Sequence, residues 1–500
     1  MNAPWNGANE TMVTPREAAS GVARSDAAAT NTPAFRALYA ARVPIYPKLV
    51  HGKFRALKFA LMGVMLAIYY GVPWLRWDRA PSAPDQAVLV DVANGRLFFF
   101  AWEFWPQEVV FITGLLIIAA LGLFLATALF GRVWCGYACP QTIWTDLYIM
   151  VERAFEGDRA ARIRLDKGPW TFDKAWRKGG KHAVWIAIAA ATGGAWIFYF
   201  HDAPALLPAL FRGDAPLVAY AFLGLLTFTT YTLAGTMREQ VCTYMCPWPR
   251  IQAALIDEQT LQVTYRTDRG EPRGPHKKGQ TWDGRGDCVD CNQCVAACPM
   301  GIDIRDGSQL ECINCALCID ACDSVMAKVG RPAGLIAYDT DLNVARRKAG
   351  QPARFQIIRS RTVLYAGVLA LAVAVLAAGL NGRTDLDLSV LRDRNPTFVR
   401  LADGRVRNGY TVKIVNKAPQ ARRYSLTVAG PVPVSVRIAG HEAGDAILAP
   451  ADQVRAVRVF VTLEAGAVPE DQVPLTFAIS APDGPAARVQ TVFVTGGPPR

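Results

Sequence analysis

No cysteine follows residue 322, although the chain runs to residue 500. Its C-terminal part therefore has no disulfide and no thiolate ligand. Histidine is scarce: His51, His182, His201, His276 and His441 are all there are. None stands in the middle of an apolar run, so axial ligands for a membrane haem are missing. No G-x-G-x-x-G fingerprint follows a strand pattern, which argues against a flavin or nicotinamide fold. Residues 1–35 lack the apolar core of a cleavable signal peptide. They are rich in Ala, Thr and Asn and read as a disordered tail. The net charge of +12 comes with no nucleic-acid motif, so no nucleic-acid partner is expected.

What is present is long apolar sequence. The chain is 52% hydrophobic and 19% charged, a blend that suits membrane helices joined to soluble parts. A membrane-spanning helix needs about 20 mostly apolar residues. Five runs qualify: Phe59–Leu75, Val109–Phe130, Ala183–Phe200, Leu217–Gly235 and Thr362–Leu380. Lys and Arg orient them. Residues 131–182 carry ten and residues 236–360 carry sixteen, against three in 76–108 and only Arg212 in 201–216. The positive-inside rule then puts the N-terminus, the second loop and residues 241–360 in the cytoplasm, and the C-terminal part outside. The stretch Leu97–Trp105 reads as an interfacial aromatic belt. Glu103 within it and Glu108 just after it are a less favoured cation or proton site.

Eight of the twelve cysteines lie between Cys288 and Cys322. Cys288, Cys291, Cys294 and Cys298 follow C-x2-C-x2-C-x3-C, and so do Cys312, Cys315, Cys318 and Cys322. Three thiolates on a tight loop reach three irons of one cubane. The fourth, on the next helical turn, points to the other cluster. The expected ligand sets are Cys288, Cys291, Cys294 and Cys322 for one [4Fe–4S] cluster, and Cys312, Cys315, Cys318 and Cys298 for the second. Zinc would take four cysteines in pairs and fits this doubled pattern poorly. Pro299 follows the first run, but Asp323 stands where the second would have proline.

The remaining four cysteines form a repeat: Cys135-Gly-Tyr-Ala-Cys139-Pro140 and Cys242-Thr-Tyr-Met-Cys246-Pro247. Each follows an apolar run of like orientation. Proline disfavours helix at the residue before it, so Cys139 and Cys246 are expected at helix ends or kinks. Four soft sulfurs at one depth would suit Cu(I), zinc or a further cluster, or would act as redox thiols. Spacing alone leaves these open. A disulfide within each pair is disfavoured on the cytoplasmic side.

After the last apolar run, Tyr410–Val415, Tyr424–Val428, Val434–Ile438, Val454–Leu463, Leu475–Ile479 and Val489–Val494 alternate apolar and polar residues between turn-formers. This spacing predicts an antiparallel sandwich of immunoglobulin type, read as a docking module. The expected fold class is a multidomain membrane protein. A five-helix transmembrane α bundle carries an inserted cytoplasmic 2[4Fe–4S] ferredoxin-like domain and a C-terminal all-β immunoglobulin-like sandwich. The expected division is a tail at 1–45, a four-helix core at 46–240 and a cytoplasmic segment at 241–360, with the ferredoxin domain near 280–330. A fifth helix at 361–381 and a periplasmic domain at 382–500 complete it.

The order of these parts, from about Tyr46 to the C-terminus, resembles the CcoG/FixG/RdxA family of cytochrome c oxidase accessory proteins. The WCGYACP and VCTYMCP elements, the eight-cysteine block, the fifth helix and the outer sandwich carry the likeness. The resemblance implies a role in the bacterial inner membrane in assembling a cbb3-type oxidase, with the oxidase or its copper-assembly factors as partners. It also implies reduction of Cu(II) to Cu(I), which makes Cys135, Cys139, Cys242 and Cys246 candidate catalytic and copper-binding residues. The electron donor is left unidentified. Two other readings stand beside it: a quinol-linked conduit to a partner complex, and a redox sensor or scaffold.

Overall fold

The computed structural model describes residues 27–29, 43–79, 83–277, 279–418, 420–442, 444–464, 471–482, 484 and 486–496. Most of the expected tail at 1–45 lies outside them. The chain divides into two compact units, one of residues 1–75 and 86–376, the other of 76–85 and 377–500.

In the first unit, long apolar runs become helices because an unbroken helix satisfies every interior backbone group without water. Lys53–Trp74, Pro106–Phe130, Leu217–Met237 and Ser360–Asn381 are long and apolar enough to cross a membrane. The expected run Ala183–Phe200 belongs to a 26-residue helix, Phe172–Ile197, that does not meet that standard. Its first half carries Lys174, Arg177, Lys178 and Lys181. It buries Trp185, Ala189 and Thr192. The Leu217 helix changes from α to π geometry at Tyr231–Met237.

Leu97–Trp105, expected as an interfacial aromatic belt, lies largely in strands. Val88–Asp91, Arg96–Phe99 and Trp102–Phe104 form a three-stranded antiparallel meander. Glu103 pairs with Arg96 at 3.0 Å, and Glu108 accepts the Trp105 N–H at 3.1 Å. Alternating aromatic residues satisfy strand periodicity and an interfacial belt alike, and the two are compatible.

The cysteine-rich segment is closed by an antiparallel pair, Gln262–Tyr265 with Ile336–Asp339. Between these strands lie two short helices, Gln293–Ala297 and Leu317–Lys328. The two cysteine loops share a backbone signature. Asp290 and Asn292 flank Cys291 with φ of 51° and 55°, while Asn314 and Ala316 flank Cys315 with 53° and 60°. Asp and Asn tolerate this left-handed region better than other side chains, and Ala316 accepts a strained backbone there. The Pro299/Asp323 departure has a local consequence. The first helix stops before Pro299, whereas the second runs on through Asp323 to Lys328. Asp323 Oδ1 accepts the Gly334 N–H at 2.7 Å.

The second unit is a sandwich. One sheet is ordered Ser435–Ile438, Gln453–Leu463, Val406–Asn416, Leu386–Arg392, with Val399–Arg400 also on Val406–Asn416. The other runs Ile447–Ala449, Arg422–Ala429, Gln472–Ser480, Ala486–Val494. Neighbouring strands are antiparallel. Alternate residues such as Tyr410, Val412, Ile414, Val459, Val461, Phe477 and Phe493 fill the core. All six expected strands are present. Leu386–Arg392, Val399–Arg400 and Ile447–Ala449 were not anticipated: the first follows the last helix almost directly, and the other two are too short to show a period.

Candidate functional site

The two loops with left-handed turns wrap two cavities. One is lined by Cys288, Cys291, Cys294 and Cys322 with Val289, Val325, Met326, Leu335 and Ile336 among its walls. The other is lined by Cys298, Cys312, Cys315 and Cys318, with Cys294 on the shared wall. Thus the fourth cysteine of each run lines the cavity of the other run. Among the described residues no three His, Cys, Asp or Glu side chains converge on a point suited to a single metal ion. Four thiols spread around an apolar chamber instead match a cubane whose irons each take one sulfur.

Burial pushes the thiols of Cys294 and Cys298 up to about 12 and that of Cys312 to about 11. Cys315, Cys318 and Cys322 are raised by the same cause. Iron must displace protons to enter such sites, which couples loading to pH. Arg305 offsets part of the burial at Cys294. Its guanidinium is held by Asp303, Asp290 and Asn292.

The paired cysteines stand beside the second cavity. Val133–Tyr137 is a helical turn, Cys139 is extended (φ −64°, ψ 128°), and Pro140 opens the helix to Glu156. Val241–Met245 is a π turn, Cys246 is extended (φ −78°, ψ 122°), and Pro247 caps Trp248–Leu255. Each second cysteine donates its backbone N–H five residues back, Cys139 to Trp134 O at 2.9 Å and Cys246 to Val241 O at 2.8 Å. The expected kink before proline is present in both halves.

The structure brings these four sulfurs into one neighbourhood. Cys135 and Cys315 share a buried cluster against which Cys242, Cys298 and Cys312 pack. Burial raises the Cys135 thiol. Arg132 opposes it, and Cys139 and Cys246 add to it. Burial, followed by Cys139 and Cys135, pushes Cys242 up to about 12.

Several supporting residues carry no motif of their own. Gln252, fully buried, accepts both Cys135 Sγ–H and Arg132 Nε–H at 3.2 Å. Arg132 also donates to Leu310 O, just before Cys312. Tyr137 donates to Cys315 O at 3.3 Å, and Tyr338 to Asn314 O at 2.6 Å. Gly136 lies so close to the cluster loop that a Cβ would sit 2.6 Å from Ile313 O and 3.0 Å from Cys315 N. The one available signal was positional: Arg132, Gly136 and Tyr137 lie in or beside WCGYACP.

Membrane-crossing helices joined to a ferredoxin unit with two four-cysteine chambers define a membrane iron–sulfur protein. Three family models match the chain. A "4Fe-4S dicluster domain" matches residues 237–341, and a "4Fe-4S binding domain" matches 112–156, across Cys135 and Cys139. An "IG-like fold at C-terminal of FixG" matches 376–496. The nitrogen fixation protein FixG of Rhizobium meliloti is 51% identical, covering 89% of this chain and 91% of FixG. Protein RdxB of Cereibacter sphaeroides is 51% identical over 85% of this chain and 90% of its own. Protein RdxA of the same organism is 49% identical over 91% and 98%. The chain belongs to the FixG/RdxA family.

Proposed function

We propose that this protein passes single electrons from its ferredoxin unit to the paired cysteines and there reduces Cu(II) to Cu(I), for assembly of a cbb3-type cytochrome c oxidase. The observation that carries this reading is the packing of Cys135 in one buried cluster with Cys315, with Cys242 against them. Cys288, Cys291, Cys294 and Cys322 would hold one [4Fe–4S] cluster; Cys298, Cys312, Cys315 and Cys318 would hold the other. When bound, these centres supply one electron at a time. Gln252 and Arg132 fix the Cys135 sulfur, while Tyr137 and Tyr338 fix the carbonyls of the neighbouring loop. Soft thiolates favour Cu(I) over Cu(II), so the donors that bind copper also bias it toward reduction. The oxidase comes from the family resemblance.

The Lys/Arg bias supports a five-helix reading with the N-terminus and ferredoxin unit in the cytoplasm and the sandwich in the periplasm. Full-length protein in detergent, reduced with dithionite and freed of excess reductant, should convert Cu(II) to Cu(I) as read by a Cu(I)-selective chelator. Replacing Cys135, Cys139, Cys242 and Cys246 with Ser should abolish this at unchanged iron content. An unchanged rate would overturn the assignment.

A second reading, a quinol-fed conduit without copper, is favoured by one feature. A small cleft is lined by Lys58, Gln141, Asp146, Arg238, Glu239 and Cys242, and it shares Met300 and Ile313 with the second cysteine chamber. Cluster reduction by a quinol, with no copper turnover, would select it.

A further inference from the structure

The two C-x-Y-x-C-P elements match in sequence and in the extended backbone of the second cysteine, but their surroundings differ. Tyr137 is buried at 7% exposure with its hydroxyl on Cys315 O, whereas its counterpart Tyr244 is 60% exposed. Cys135 is buried where its counterpart Cys242 is part-buried, and Cys139 is part-buried where its counterpart Cys246 is exposed. One side-chain difference goes with this asymmetry. Gly136 lets the Cys315 loop approach to a distance that no Cβ tolerates. Thr243 holds the same place in the second element, with a branched Cβ and a hydroxyl bonded to Glu239 O at 3.0 Å. The ferredoxin loop can therefore seat on the first element and not in the same manner on the second.

We propose that the elements divide the work: the first is the electron-side contact, and Cys246 with the neighbouring Met245 is the port where a copper ion first binds. This rests on the copper reading above. Met245 is 55% exposed, so a thioether and a thiol, both soft donors, occupy consecutive surface positions. Behind them exposure falls in order through Cys242, part-buried, to Cys135. Cys242 in turn packs against the buried cluster that holds Cys135 and Cys315. On binding, the thiol proton leaves to solvent. In the reduction Cu(II) gains one electron, and the reduced iron–sulfur centre that gives it is oxidised by one electron. No sulfur–sulfur bond forms.

The test uses the full-length reduced protein in nanodiscs. Alkylation by a polar maleimide, mapped by mass spectrometry, should modify Cys246 well before Cys135, and one equivalent of Cu(I) should protect Cys246. Cys246→Ser and Met245→Leu should act mainly on KM for Cu(II), raising it by about tenfold for the cysteine. Cys135→Ser should act mainly on kcat, with iron content unchanged in all three. Equal effects of the Cys246 and Cys135 variants on KM and kcat, or no protection of Cys246 by Cu(I), would overturn the port. If wild type fails to reduce Cu(II), the reductase reading falls, and the Cu(I) protection pattern still decides whether Cys246 is where copper enters.

Discussion

Asp320 Oδ2 accepts the backbone N–H of Arg55 at 2.7 Å, and Oδ1 accepts that of Phe54 at 3.3 Å. Asp320 stands between Cys318 and Cys322, and Arg55 in the first turn of the Lys53–Gly71 helix. A carboxylate from the ferredoxin unit thus caps the first apolar helix, where Gly52 leaves room that a Cβ would close to 2.3 Å. Removing a cap of this kind costs about 1–2 kcal/mol. Asp320→Ala should lower the thermal midpoint and loosen the second cysteine run. Asp320→Asn should keep most of the stability, because its amide oxygen can still accept. Thermal melts of the iron-loaded protein measure both.

Gly136→Ala should push Ile313 and Cys315 away from the first cysteine element. Iron content should fall toward half, and the centre in the Cys298/Cys312/Cys315/Cys318 chamber should be the one lost. Thr243→Ala, at the matching position of the second element, should leave iron content intact. Equal iron in both variants would show that the loop does not depend on that contact.

Cys298→Ser separates local from crossed ligation. Crossed ligation predicts damage to the centre of Cys312, Cys315 and Cys318, with the Cys288/Cys291/Cys294 centre spared. EPR of the reduced variant should show a single centre without spin coupling. A spectrum in which the Cys312, Cys315 and Cys318 centre survives would refute the shared geometry.

Gln252→Leu removes the acceptor common to Cys135 and Arg132. It leaves a buried guanidinium short of a partner, a loss of about 1–3 kcal/mol. The expected outcome is a lower melting point together with slower Cu(II) reduction at intact iron content. Gln252→Glu should restore the contact with Arg132 and part of the stability.

Acid should destabilise the network around Glu152. Burial alone would raise this carboxyl, but Arg238, Arg162 and Lys181 overcome it and hold it at about 2, against an ordinary 4.5. Arg162 donates to Glu152 at 2.8 Å and to Pro47 O at 2.8 Å. A depressed carboxyl stabilises the fold above its ordinary value, and that contribution is lost as pH falls from about 4.5 toward 2. Tryptophan fluorescence against pH should show a folded-state loss in that window, and Glu152→Gln should remove the Glu152 share of it.

Much of this protein was legible because its rules are local. The twin C-x2-C-x2-C-x3-C runs determined which cysteines could share a chamber, since reach along a tight loop depends only on spacing. Proline after Cys139 and Cys246 determined the extended backbone at both, because the clash is with the adjacent residue. Four of the five expected spans and six sandwich strands followed from hydrophobic length and alternation. The helix Phe172–Ile197 was harder to read because its charged half folds into the ion-pair network around Glu152 and Glu156.

Tertiary structure alone decided the rest. Nothing in the chain announces that Gln252 holds Cys135 across 117 residues, or that Asp320 caps a helix 265 residues upstream. Contacts between distant segments depend on how whole elements pack, and packing is a property of the assembled core. The same holds for the two cysteine elements. Their sequences announce a repeat, yet one is covered and the other open, because a missing Cβ at Gly136 matters only once the Cys315 loop lies against it.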